Sequence, residues 1–294
     1  FRRVLFRSVI DFDSQFDAMF KIGGTKLFLL VALLFVLLVM FSNIPTVGSD
    51  WDSVDFSTDQ TPEVTEEPVE VRAYHKDING TKVYIQETLP KHGGLGVRLL
   101  LLHGAAFTSD TWKTLGTLDT LTKLGIACIA IDLPGYGRTP GKLQSIEEKL
   151  KFMVGLLSLD ILGRKPIVVT PSMSGSFAIP LIVNYPHKLG GLIAIAPVQT
   201  EYFKQHGSNV DVSNICLHFV SSFFLKIPTL VMYGSKDTGL GLTSVQNLNM
   251  KTRKVYEFSG ASHPAYLDQP DKFHTLTYNF VKYINKAYEV QDDR

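Results

Sequence analysis

The chain has 294 residues, 45% hydrophobic, 11% aromatic and 19% charged, a composition too apolar for a disordered protein and too varied for collagen or low-complexity sequence. Lys+Arg number 29 against 28 Asp+Glu, so a net charge of +1 gives no basic field that would draw the protein to nucleic acid or acidic lipid. Two distant cysteines, Cys128 and Cys216, form no Cys-x-x-Cys or Cys/His cluster, which argues against a disulfide framework and a structural zinc site and leaves two reduced, buried thiols.

Within residues 1–26 the first methionine is Met19, and residues 1–18 before it are expected to be non-native. Leu27–Phe41 (LFLLVALLFVLLVMF) has no charged or polar side chain; extended over residues 27–44 it approaches the roughly 20 residues that cross a bilayer. It is apolar on every face, unlike an amphipathic core helix, and a signal anchor is expected. A cleaved signal peptide is the rival, with Val47-Gly48-Ser49 as a passable small-residue site. Lys21 and Lys26 precede the run and only acids follow it up to Val71, so the positive-inside rule puts the N-terminus in the cytosol. The expected topology is single-pass type II, with everything downstream luminal or extracellular; secretion after cleavage and a cytoplasmic location are the alternatives.

Residues 45–70 are rich in Pro, Ser, Thr and acid and read as a flexible stalk. Residues 71–290 have the length of one globular domain. Asn79-Gly80-Thr81 is a glycosylation sequon that fits the luminal topology; Asn-Gly between VRAYHKDI and TKVYIQET is equally a tight hairpin turn. Six apolar runs follow: Val97–Leu102, Gly125–Ile131, Pro166–Thr170, Gly191–Ala196, Pro228–Tyr233 and Lys254–Phe258. A parallel sheet covered on both faces needs such strands. Helices are predicted between and after them at Ser109–Lys123, Ser145–Leu157, Ser176–Asn184, Leu240–Asn249 and Pro270–Ala287, the last burying Phe273, Leu276, Phe280 and Tyr283. The pattern is α/β and doubly wound, with a mostly parallel sheet, helices on both faces, and sites at strand C-termini.

The strand Pro166–Thr170 runs into Pro171-Ser172-Met173-Ser174-Gly175-Ser176 and then a helix, the context of a nucleophile elbow. Ser174 is expected at its centre, with Ser172 and Ser176 supplying the small outer residues. As a pattern this is weak, and a serine-rich helix cap would look the same. His103-Gly104-Ala105-Ala106 after an earlier strand is where an oxyanion hole would take one of its donors, so the backbone N–H groups of Ala105 and Met173 are expected there. His103 itself is read as structural, and Asp132-Leu133-Pro134-Gly135-Tyr136-Gly137-Arg138 as a turn without chemistry. Asp237 lies just past the strand Pro228–Tyr233, and His263 just past the last one.

The order Ser174, Asp237, His263 is that of the α/β-hydrolases. HGAAFTSDTW, DLPGYGRTP, PSMSGSFAIP and GASHPAYLDQPDKFH closely resemble the fourteenth α/β-hydrolase-domain-containing family, in its membrane-anchored rather than its soluble branch. The resemblance implies Ser174 as nucleophile, Asp237 as acid and His263 as base. It also implies hydrolysis of small acyl esters or, as in the soluble branch, transfer of an acyl group from lysine to coenzyme A. No other cofactor, no metal and no nucleic-acid partner is implied. Phe203–Lys226 is longer than these near-lidless hydrolases need, and Cys216–Leu225 is unusually apolar, which suggests a small lid, a membrane-touching helix or an aberrantly spliced insert. The expected activity is nucleophilic acyl transfer on esters, thioesters or amides. A silent membrane-tethered binding module and a lipase acting on bilayer lipids are the competing readings.

Overall fold

In the computed structural model, which describes residues 50–58, 67–207, 227–250 and 252–292, all six apolar runs form strands. They are β3 (Arg98–Leu101), β4 (Ala127–Ile131), β5 (Ile167–Pro171), β6 (Gly191–Ile195), β7 (Thr229–Gly234) and β8 (Arg253–Phe258). An antiparallel hairpin, β1 (Arg72–Ile78) and β2 (Thr81–Thr88), precedes them, and the sheet order is β1-β2-β4-β3-β5-β6-β7-β8. β2 meets β4 antiparallel, and every pairing from β4 through β8 is parallel.

Alternate residues of the central strands feed two separate cores, as the period-2 pleat requires. Leu99, Leu101, Ile167, Val169, Leu230 and Met232 face one side, packed with Trp112, Leu121, Phe273 and Phe280. Leu100, Leu102, Val168, Leu192 and Val231 face the other, packed with Phe152, Met153, Phe177 and Ile179. The first side is covered by α1 (Asp110–Thr114), α2 (Thr117–Lys123), α7 (Ala265–Asp268) and α8 (Pro270–Asp292). Helices α3 (Ile146–Leu156), α4 (Gly175–Asn184) and α5 (Thr200–His206) cover the second; α6 is Leu240–Asn247.

Local chemistry explains several boundaries. Ser145 caps α3 in a reciprocal box, accepting from the Glu148 N–H while its own N–H donates to the Glu148 carboxylate at 2.9 Å. The single helix expected over Ser109–Lys123 is two helices, because Gly116 breaks it at φ +80°. The β1–β2 turn is Asn79-Gly80, both at positive φ, as a type I′ hairpin demands. The Asn79 amide nitrogen donates to the Lys151 carbonyl at 2.9 Å.

One expectation changes at the start of the domain. Residues 50–58 are not free stalk: Trp51 and Phe56 are buried in the core against Phe280 and Tyr283. Asn279 donates to the carbonyls of Phe56 and Thr58, and the Phe56 N–H donates to the Tyr256 hydroxyl. Two large aromatic side chains outweigh the polar composition around them, because each removes a large apolar area from water. The signal-anchor segment 27–44 and most of the Phe203–Lys226 stretch lie outside the described residues; Phe203 itself is buried in α5. Among the described residues no helix is long and apolar enough to cross a membrane.

His274 on α8 is buried with its Nε2 2.9 Å from the Thr117 hydroxyl. Burial pushes its pKa down from 6.5 to about 4, against a smaller upward pull from Asp271. The ring stays neutral in the folded chain while the unfolded chain takes up a proton below pH 6.5, so stability is whole above that pH and is lost as the pH falls toward 4. The full loss is about 3 kcal/mol. Urea unfolding of wild type and His274→Gln at pH 7 and pH 4.5 should show a smaller acid destabilisation in the variant; equal pH slopes would contradict it.

Candidate active site

β5 ends at Pro171, and the next residue, Ser172, turns sharply at φ +50°, a conformation costly for any residue with a Cβ. Helix α4 begins three residues later at Gly175, where a Cβ would collide with the Val198 carbonyl in the loop after β6. This is the strained strand-to-helix corner that exposes a nucleophile. The hydroxyl it presents is that of Ser172, whose Oγ lies 2.8 Å from His263 Nε2.

Ser174, expected at this place, is elsewhere. It is fully buried, its Oγ donating to the Pro171 carbonyl at 2.8 Å and lying 3.0 Å from the Thr170 hydroxyl. Two residues along a one-turn 3-10 helix rotate a side chain away from its neighbour, so one serine faces His263 and the other knits the corner together. The small outer residues of the elbow are therefore Thr170 and Ser174. One signal in the chain pointed to this register: Ser172 is the first polar residue beyond the apolar strand and its proline.

His263 Nδ1 is 2.6 Å from Asp237 Oδ2, completing the chain Ser172–His263–Asp237. Asp237 and His263 thus stand together as their positions after β7 and β8 suggested. Gly234 makes the approach feasible, since a Cβ there would collide with the carbonyls of Ala261 and Ser262. The Lys236 N–H donates to the Ala261 carbonyl, joining the two loops. On the far side of His263, Ser262 donates through both its N–H and its hydroxyl to Asp268, fixing the histidine loop to α7. Those two bonds hold the Asp268 carboxyl below its ordinary range.

The Ser172 carbonyl accepts from the Val198 N–H at 2.9 Å. Because a trans peptide points its N–H opposite to its C=O, this bond turns the Met173 N–H the other way. The 103–109 loop is the second wall: a Cβ on Gly104 would stand 3.7 Å from Ser172 Cβ, and Ala105 and Ala106 beyond it are exposed.

Behind the loop, the buried Asp132 carboxylate accepts from the N–H and hydroxyl of Ser109 and from the Arg138 N–H. Burial alone would raise its pKa, but these donors and the Arg138 charge hold it below the ordinary value. The 132–138 turn, read as without chemistry, ties down the far end of this loop. Cys128 is buried in the sheet, where desolvation pushes its thiol up to about 12, so it offers no thiolate. Cys216 lies outside the described residues.

A family profile described as the alpha/beta hydrolase family matches residues 99–224. The rat protein ABHD14A is 32% identical over 207 residues, 69% of this chain and 79% of its own length. Human ABHD14B, which carries the provisional name of a protein-lysine deacylase, is 31% identical over 220 residues, covering 73% of this chain and 97% of its own. Among solved structures, a CIB-like hydrolase from Thermoplasma acidophilum superposes with a TM-score of 0.61 at 22% identity, over 73% of this chain and 99% of that one. The carboxylesterase CesB from Bacillus subtilis gives 0.55 at 16% identity, over 72% and 92%. With the eight-stranded sheet, the elbow after β5 and these relatives in agreement, the chain belongs to the α/β-hydrolase family, in its ABHD14 group.

Proposed function

We propose that the protein is a serine hydrolase that forms an acyl-enzyme on Ser172. The observation that carries this is the unbroken hydrogen-bonded chain from Ser172 Oγ through His263 to Asp237, built on a residue at φ +50°. His263 Nε2 takes the hydroxyl proton as Oγ attacks an acyl carbonyl, and Asp237 holds the Nδ1–H tautomer and stabilises the imidazolium. The N–H groups of Ala105 and Met173 receive the developing oxyanion, each worth on the order of 3–4 kcal/mol to the transition state. His263 then returns its proton to the leaving alcohol, thiol or amine. Attack of water releases the carboxylic acid; attack of a thiol such as coenzyme A releases a thioester.

Small acyl esters, thioesters and amides are the substrate class. The naming of human ABHD14B adds acyl-lysine amides to it. The apolar, uncharged run over residues 27–44, preceded by Lys21 and Lys26 and followed by acids, supports a type II anchor with the hydrolase domain luminal or extracellular.

Treatment of the full chain with a fluorophosphonate, followed by peptide mass spectrometry, should find the adduct on Ser172. A folded protein that stays unlabelled would overturn the assignment and leave a binding module.

A further inference from the structure

The two oxyanion donors of the proposed site are aimed by different devices. Met173 N–H is aimed by main chain alone, through the bond from Val198 to the Ser172 carbonyl. Ala105 N–H belongs to the Gly104–Ala105 peptide, whose carbonyl is gripped from two sides: by the Phe107 N–H at 3.1 Å and by His103 Nδ1 at 2.9 Å. His103 is fully buried. Its other nitrogen, Nε2, accepts from the Leu133 N–H at 2.9 Å. A ring nitrogen that accepts carries no proton, so His103 is neutral with its hydrogen on Nδ1, and that hydrogen points at the Gly104 carbonyl.

We propose that His103 is a positioning residue whose Nδ1–H, locked in place by the Leu133 N–H, turns the Gly104–Ala105 peptide so that Ala105 N–H faces the oxyanion. The planar trans peptide converts a grip on the carbonyl into an aim for the N–H on its other side. The place of this peptide is consistent with that role, since Gly104 is the loop residue that packs beside Ser172. Burial also drives the His103 pKa down, opposed by the Gly104 bond and by Asp132, which keeps the accepting nitrogen free of a proton. One half of the hole is thus set by backbone alone and the other by backbone and a side chain together, and a side-chain substitution can disturb the second alone. The inference rests on Ser172 acting as the nucleophile.

The test is a pair of variants with opposite geometry. Asparagine places its amide nitrogen near the Nδ1 position and can still donate to the Gly104 carbonyl. Glutamine reaches the Nε2 position and can meet Leu133 but leaves that carbonyl without its side-chain donor. Hydrolysis of a p-nitrophenyl ester by the full chain should show His103→Gln losing kcat by about 10²-fold with KM little changed, the pattern of a donor felt only in the transition state. His103→Asn should stay within about fivefold of wild type. Equal losses in the two variants, or full kcat in a folded His103→Gln, would overturn the proposal.

Ser172→Ala is run beside them. If it keeps wild-type turnover, the serine assignment falls and this inference falls with it; if it is inactive and the His103 pair behave alike, only the inference falls. Imidazole nitrogen NMR of the wild-type protein gives a readout that needs no variant to fold. A protonated Nδ1 and a bare Nε2 at His103 are expected, and the opposite tautomer or an imidazolium would refute the aim of the peptide.

Discussion

Replacing Ser172 by alanine should lower kcat by about 10⁴-fold or more, while Ser174→Ala keeps it within a few fold. The two residues differ by two positions and both are serines, yet their surroundings separate them. Ser172 Oγ has His263 Nε2 at 2.8 Å, so its removal takes away the atom proposed to attack. Ser174 Oγ is buried against Thr170 and the Pro171 carbonyl, and its loss leaves a corner with one hydroxyl and one carbonyl short of a partner. That is a stability effect of about 1–2 kcal/mol, not a chemical one. Ester turnover and thermal unfolding measured on both variants divide the cases: an inactive, folded Ser174→Ala beside an active Ser172→Ala would reverse the assignment.

The second large effect concerns stability. Phe56→Ala should cost about 3–5 kcal/mol, the usual penalty for emptying a fully buried aromatic site. In a domain of this size that is roughly 10 °C in Tm. Phe56 packs edge-on against Phe280 and Tyr283, and its carbonyl takes one of the hydrogens of Asn279. A chain starting at residue 71 would lose Trp51 as well, expose Phe280, and strand both donor hydrogens of Asn279. It should melt well below the chain that keeps residues 50–58. Partners of the 50–58 strap among the described residues include Lys254, Tyr256, Asn279, Phe280 and Tyr283, none of them in the Ser172–His263–Asp237 chain, so turnover at low temperature should persist. Differential scanning calorimetry of the two chains decides it: equal melting temperatures would show the strap to be ornamental.

Much of this architecture was legible in the residues. Near-continuous apolar runs such as Leu99–Leu102 and Ile167–Val169 are what strands buried on both faces require, and their shortness and flanking turn residues favour strand over buried helix. Their number and spacing then imply the parallel sheet, and the positions of Asp237 and His263 just beyond two of those strands bring both to the same edge. The capping box at Ser145 and the Asn79-Gly80 turn are likewise local, written in residues within four positions of one another.

What the residues left open has a common physical cause: it depends on contacts between segments far apart in the chain. Ser172 and Ser174 both satisfy a small-x-small pattern, and only the φ of the corner and the place of His263, 91 positions away, decide which one faces the base. Residues 50–58 look like stalk because their composition is polar; that Trp51 and Phe56 find Phe280 and Tyr283 is a tertiary fact with no local signature. His103 reads as one more buried histidine until the Leu133 N–H on its far nitrogen fixes its tautomer. Short-range patterning thus determined the sheet, its layers and the edge at which chemistry is placed. Which hydroxyl, which strap and which tautomer occupy that frame was decided by long-range hydrogen bonds and packing, because their partners become neighbours only once the chain has folded.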